Sequence, residues 1–146
     1  MLVLPDGKQF STGRARFFDD APGIEEGTAK IFVKVEPAGL ETPILAQVDT
    51  GAAWSILAPE VAEAITLLDG EGEPTTISTR QGTVRGRLEN AVLTILADDG
   101  ESLEVHATVF VSRDWPAGTF LGYSGLLERI RFAVDPRQNH FHFGPG

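Results

Sequence analysis

Apolar positions in this chain recur in short runs bounded by glycine, proline, asparagine and aspartate, a pattern of strands and turns. Lys30-Ile31-Phe32-Val33-Lys34-Val35 alternates as a strand and ends at Pro37-Ala38-Gly39, and residues 43–48 follow as the second arm of a hairpin. Segments 75–79 and 83–88 flank Arg80-Gln81-Gly82 and predict a second hairpin with glycine at its tip. A strand continues through 89–96, Asp98-Asp99-Gly100 turns it, and 103–111 returns. Residues 112–118 read as a loop, 131–134 as a strand, 135–139 as a turn and 140–143 as a last strand. Helical spacing is confined to 59–65, where Pro59 suits a first helical position, and to 122–129. Asp69-Gly70-Glu71-Gly72-Glu73-Pro74 is loop. Many short strands with two brief helices predict an all-β fold, a small barrel. Residues 1–27 hold turn formers (Pro5-Asp6-Gly7, Asp19-Asp20-Ala21-Pro22-Gly23) around Arg16-Phe17-Phe18. They predict an N-terminal arm or edge strand ahead of a single domain over 28–146, with no repeat or linker.

Composition then removes function classes. The 146 residues are 42% hydrophobic and 23% charged, which suits one domain with a modest core and not a disordered chain. A formal net charge of −9 opposes a phosphate backbone, so no nucleic acid is expected as partner. Without cysteine there is no disulfide framework, thiol nucleophile or thiolate metal site. The first residues lack a basic segment followed by a long apolar run, and no run approaches the roughly 18 apolar residues of a membrane span. Neither a signal peptide nor a membrane is expected, and the cytoplasm is the expected compartment.

One polar stretch interrupts the apolar pattern in an informative way. Val48-Asp49-Thr50-Gly51-Ala52 has an apolar approach, Ile44-Leu45-Ala46-Gln47, and an apolar exit, Ser55-Ile56-Leu57. Burying a carboxylate is costly unless hydrogen bonds or a shared proton compensate. Thr50 can offer a hydroxyl and the Gly51 region backbone N–H groups, because glycine lets the chain fold closely around the acid. Strand ends also favour Asp, Thr and Gly for turn geometry alone. A D-[ST]-G-[AS] match in a chain this long is on the order of a 1 in 100 accident, and the apolar flanks lower that.

Val48-Asp49-Thr50-Gly51-Ala52 resembles the active-site turn of aspartic proteases, and its single short copy resembles the retroviral (retropepsin) type. Thr119-Phe120-Leu121-Gly122-Tyr123-Ser124-Gly125-Leu126-Leu127 is similar to that family's hydrophobic-hydrophobic-Gly segment with its short following helix. The order and separation of the two motifs fit, and 76–96 resembles the hairpin that supplies the family's flap. The resemblance covers about 30–134 and implies a closed β-barrel of the acid-protease type, an aspartic endopeptidase, a polypeptide substrate, no cofactor and no metal. It makes Asp49 the catalytic acid/base, Thr50 a brace between turns, and Gly51 and Ala52 holders of backbone groups toward substrate. Leu121 and Gly122 support the turn. Ser78, Thr79, Arg80, Gln81, Gly82, Thr83 and Val84 form the flap, closing over an extended peptide.

Two carboxylates sharing one proton hydrolyse amides far better than one, because like charges about 3 Å apart cannot both ionise. One acts as general base on water, the other as general acid on the substrate carbonyl. Only one Asp-Thr-Gly is present, so a full pair requires two chains related by a twofold axis, each giving Asp49. The expected partner is a second copy.

The chain also departs from the retroviral pattern. Ala53 and Tyr123 stand where retroviral enzymes place an acid and an arginine that pair near the dimer axis, as non-viral relatives do. The flap has only Gly82 at its tip with Gly86 beyond, and the chain continues past Val134 by an extra strand. These departures keep open a catalytically silent barrel that binds peptide or dimerises, and an unrelated ligand-binding barrel. Leu57, Ile77, Val84 and Leu121 are candidate pocket walls that also read as core. Arg80, Arg85 and Arg87 read as solvated strand charges, with recognition of acidic peptides as the alternative. His140 and His142 share a strand face without a third ligand at metal-site spacing, and read as exposed or partner-facing. Trp54 and Trp115 read as core or rim aromatics, and Glu60 and Glu63 as first-turn acids of the helix.

Overall fold

Strand β1 (Gly13–Arg16) is followed by β2 (Ile31–Pro37), β3 (Ile44–Val48) and β4 (Ser55–Ile56), then helix α1 (Pro59–Ala64). Next come β5 (Glu73–Thr79), β6 (Gly82–Ile95), β7 (Asp99–Gly100), β8 (Leu103–Val111) and β9 (Thr119–Leu121). A short 3-10 helix (Leu127–Arg129), β10 (Ile130–Asp135) and β11 (His140–Pro145) complete the order. These belong to a computed structural model that describes residues 1–19, 30–65, 72–80 and 82–146. The arm boundary expected at 27/28, most of the turn at 19–23, loop residues 69–71 and flap residue Gln81 lie outside the described residues.

Six strands close a barrel in the order β2-β3-β9-β4-β8-β6, sealed where β6 returns to β2 through Val35↔Ile95, Glu36↔Thr94 and Pro37↔Leu93. The protein is all-β, as its alternating pattern predicts. Strands β6 and β8 contribute the longest antiparallel ladder, Arg87↔Val111 through Ile95↔Leu103. Their inward residues alternate as a period of two demands: Ala91, Leu93 and Ile95 face the same interior as Val105, Ala107 and Val109. Val33, Val35, Ala46, Leu57, Leu121 and Leu126 close that core. The run expected as two successive strands, 83–88 and 89–96, is one 14-residue strand, β6, and its first half pairs with β5 as a hairpin beyond the barrel.

A second sheet, β10-β11-β1-β7, covers one side. Strand β1 pairs with β11 on one edge and β7 on the other, so the N-terminal segment is built into a sheet. Asp99 and Gly100, expected only as a turn, supply β7. Phe17 beyond β1 is buried, and Phe18 bridges to Phe32 of the barrel.

The helix expected over 122–129 shrinks to Leu127–Arg129. Gly125 has φ +82, outside the helical region, and the Tyr123 and Ser124 N–H groups donate across to Ala52 O (2.9 Å) and Ala53 O (2.8 Å). Those amides would lack a partner in a first helical turn anyway; the helix is broken at Gly125, whose carbonyl accepts from Thr108 N–H at 3.0 Å. His142 corrects a second expectation. It is buried where an exposed or partner-facing side chain was expected, because both faces of β11 are covered from Phe141 to Gly144, while His140 at the strand end is half-buried.

Candidate active site

The two motifs meet because β9 inserts between β3 and β4, which are consecutive in sequence. It runs parallel to β3 (Ala46↔Thr119, Gln47↔Phe120, Val48↔Leu121) and antiparallel to β4 (Ile56↔Phe120). The chain therefore leaves β3 at Val48, turns through Asp49-Thr50-Gly51-Ala52, and comes back one strand away as β4. The end of β9 sits inside that turn.

Each side of the junction is hydrogen-bonded to the other. Asp49 N–H donates to Leu121 O at 2.9 Å, extending the β3–β9 ladder by one residue into the acid. Gly122 N–H donates to the Ser55 hydroxyl at 2.9 Å, and both residues are buried. Ala58 N–H donates to the Thr119 hydroxyl at 3.1 Å, which fixes the exit toward α1. Trp54 and Ser124 form a parallel bridge beside the turn. Gly122 admits no side chain: an added Cβ would collide with the Trp54 carbonyl and the Ser55 amide nitrogen.

Within the turn the Gly51 N–H donates to Asp49 Oδ1 at 2.9 Å, the backbone support its sequence anticipates. Ala52 N–H closes the turn on Asp49 O at 3.2 Å. Thr50 is exposed, and its hydroxyl reaches no partner among the described residues. Asp49 and Ala52 are half-buried, Gly51 and Ala53 exposed, and Tyr123 is 52% exposed. The carboxylate is thus held at its base and accessible at its tip.

The residues expected as a flap, Gln81 apart, occupy the far end of the β5–β6 hairpin, where Ser78 pairs with Thr83, Ile77 with Val84 and Thr79 with Gly82. The Thr79 hydroxyl donates to Gly82 O at 2.8 Å across the tip. Ile77 and Val84 are half-buried on this hairpin, whereas Leu57 and Leu121 are wholly core. Trp115 packs edge-on to Phe120, ring centroids 5.9 Å apart. No group of three or more His, Asp or Glu side chains able to hold a metal occurs among the described residues. No described helix is long and apolar enough to cross a membrane.

Three contributors escape a sequence reading. Ser55 hides in an apolar run, and its hydroxyl matters only because Gly122 lies opposite. Glu89 is 1% exposed; its phase with Ala91, Leu93 and Ile95 was a legible sign that an acid points inward. A cavity of about 530 Å³ lies between α1 and the adjoining ends of β6 and β8; no residue of the Asp49 turn or the expected flap lines it, whereas Arg85 and Arg87, read as strand charges or acidic-peptide contacts, do. Arg113, on its wall, carries no sequence signal at all.

No protein-family model matches the chain, and no curated protein matches it.

Proposed function

We propose that this chain is one half of a homodimeric aspartic endopeptidase whose acid pair is Asp49 from each of two copies. The observation that carries the reading is the Asp49 turn with β9 threaded through it: Asp49 N–H on Leu121 O, Gly122 N–H on Ser55 Oγ, and Tyr123 N–H on Ala52 O. That arrangement fixes a carboxylate at its backbone, leaves its oxygens reachable, and sets small uncharged residues around it for a second copy to approach. One Asp49 carboxylate takes a proton from water as the water oxygen adds to the scissile carbonyl carbon. The other, protonated, gives its proton to the carbonyl oxygen. The first Asp49 then gives the proton it took to the amide nitrogen as the C–N bond breaks, and a hydroxyl of the adduct returns its proton to the second, which frees the amine and the carboxylic acid and restores the shared proton. The β5–β6 hairpin serves as the flap, and a peptide in extended form pairs with its backbone.

A barrel of the same acid-protease type without turnover is the second reading, favoured by Ala53 and Tyr123 in place of an interface ion pair. Cleavage of an unstructured protein between about pH 3 and 7 separates the two. Wild type cleaves and Asp49→Asn does not, while both melt at the same temperature, because asparagine keeps the Oδ1 acceptor for Gly51 N–H. Absence of turnover in wild type throughout that range, or a strict monomer by sedimentation at high concentration, refutes the endopeptidase.

A further inference from the structure

The cavity of about 530 Å³ is within the range of ligand sites, and its lining includes Arg85, Arg87 and Arg113. Their grouping follows from strand phase. Arg85, Arg87 and Glu89 continue the inward row of Ala91, Leu93 and Ile95 past the point where the barrel core ends. Glu89 closes that end: its side chain is fully buried, and Oε1 accepts from Gly72 N–H at 3.1 Å and pairs with Arg87 Nε at 3.4 Å. This fixes Arg87 by one edge and leaves its Nη groups without a partner among the described residues. The Ser112 hydroxyl donates to Arg85 O at 2.5 Å and accepts from Asp114 N–H at 3.1 Å, tying the loop that bears Arg113 to the strand that bears Arg85. Neither Arg85 nor Arg113 has an ion pair among the described residues.

Glu63 and Asp114 also line the cavity and Glu89 holds Arg87, so acids equal arginines in number, but Arg85 and Arg113 carry no ion pair among the described residues in a chain of net charge −9. The rest of the surface repels polyanions, and this wall does not. The β6–β8 ladder ends at Arg87↔Val111, so over Gly82–Gly86 β6 pairs only with β5 and its edge toward the cavity meets no strand among the described residues. An unpaired edge beside the arginines suits an extended chain whose side chains bear carboxylates.

We propose that this cavity is a docking site for an acidic stretch of polypeptide, held through its carboxylates by Arg85, Arg87 and Arg113. As the selector of a substrate it rests on the endopeptidase reading; as a binding site it stands apart from Asp49. The test uses the full chain carrying Asp49→Asn and a fluorescein-labelled peptide of alternating Glu and Ala, read by anisotropy, beside the same peptide with Gln for every Glu. The Glu peptide binds more tightly than the Gln peptide, and its affinity falls as salt rises from about 50 to 300 mM. Replacing both Arg85→Gln and Arg113→Gln weakens it by about fivefold or more. Arg131→Gln with Arg137→Gln, on the second sheet, leaves it unchanged.

Equal affinity for the two peptides, or full affinity in the Arg85/Arg113 variant, overturns the proposal. So does citrate that displaces the peptide at matched carboxylate concentration and itself binds with the same arginine dependence, since the site then takes a small anion. Both arginines are exposed and unpaired, so the variant retains the wild-type melting temperature. Binding without cleavage in wild type removes the endopeptidase alone; cleavage without binding removes the docking site alone.

Discussion

Replacing Gly122 by alanine tests, without any assay of activity, whether the two motifs form one structural unit. An added Cβ meets the carbonyl carbon and oxygen of Trp54 and the amide nitrogen of Ser55. All three are backbone, so no side-chain rotation relieves the clash and either β4 or β9 must move. Overpacking of this kind costs about 1–3 kcal/mol. Movement also lengthens the 2.9 Å bond from Gly122 N–H to Ser55 Oγ, a buried pair worth about another 1 kcal/mol. The expected loss is therefore about 2–4 kcal/mol, a fall in melting temperature of roughly 6–12 °C for a domain of this size. Urea unfolding followed by tryptophan fluorescence, at one fixed protein concentration, measures it, and half-buried Trp54 reports on the junction itself. Gly118→Ala is the companion, because an added Cβ there has nothing within 4 Å and should change stability by no more than about 0.5 kcal/mol. If the two variants unfold together, β9 is not clamped against the Trp54–Ser55 backbone and the account of the site fails.

Two further outcomes bear on the second sheet. Phe141 is fully buried and stacks with Phe132 at 6.0 Å, so Phe141→Ala should cost about 3–5 kcal/mol by urea unfolding; a loss under about 1 kcal/mol contradicts its place in the core. The pKa of His142 lies below the ordinary 6.5, chiefly through burial, then through His140, Arg14 and the amino terminus, with Asp135 opposing. The unfolded chain then binds the proton more readily, so the stability tied to this histidine is complete above 6.5 and is lost as pH falls through the lowered folded value. His142→Gln should flatten the stability–pH curve over that interval, and an unchanged slope assigns the dependence to other groups.

Legibility followed the range of the forces involved. Alternation and turn residues are local, so β2, β3, β8 and the β5–β6 hairpin could be read within a residue or two from the pattern alone. The Asp49 turn was readable too, because its apolar approach and exit are themselves short strands. The helix at 122–129 was misread for a nonlocal reason: Gly125 turns to φ +82 and gives its carbonyl to Thr108 N–H of β8. The strand pairing of 13–16 was hidden likewise, since it depends on β11 at the opposite end of the sequence. His142 was misjudged because alternation tells which side of a strand a residue takes, not whether both sides are covered.

The surroundings of Asp49 bear on how two such chains could meet at all. Copies of net charge −9 repel one another, and the catalytic reading asks them to bring two more carboxylates into contact. The residues beside the acid are Thr50, Gly51, Ala52, Ala53, Trp54 and Tyr123, none of them charged. Docking there adds no repulsion beyond that of the Asp49 pair itself, and a shared proton removes most of that cost. An arginine and an acid in place of Tyr123 and Ala53 would add attraction, but each would need its partner once desolvated. The aromatic ring, 52% exposed on one chain, offers area to bury instead. Association should then tighten as salt screens the −9 on each copy, and depend strongly on Tyr123. Tyr123→Ala should shift sedimentation toward monomer at concentrations where wild type pairs, with cleavage falling in proportion. A Tyr123→Ala chain that still pairs at wild-type affinity places the contact elsewhere on the barrel.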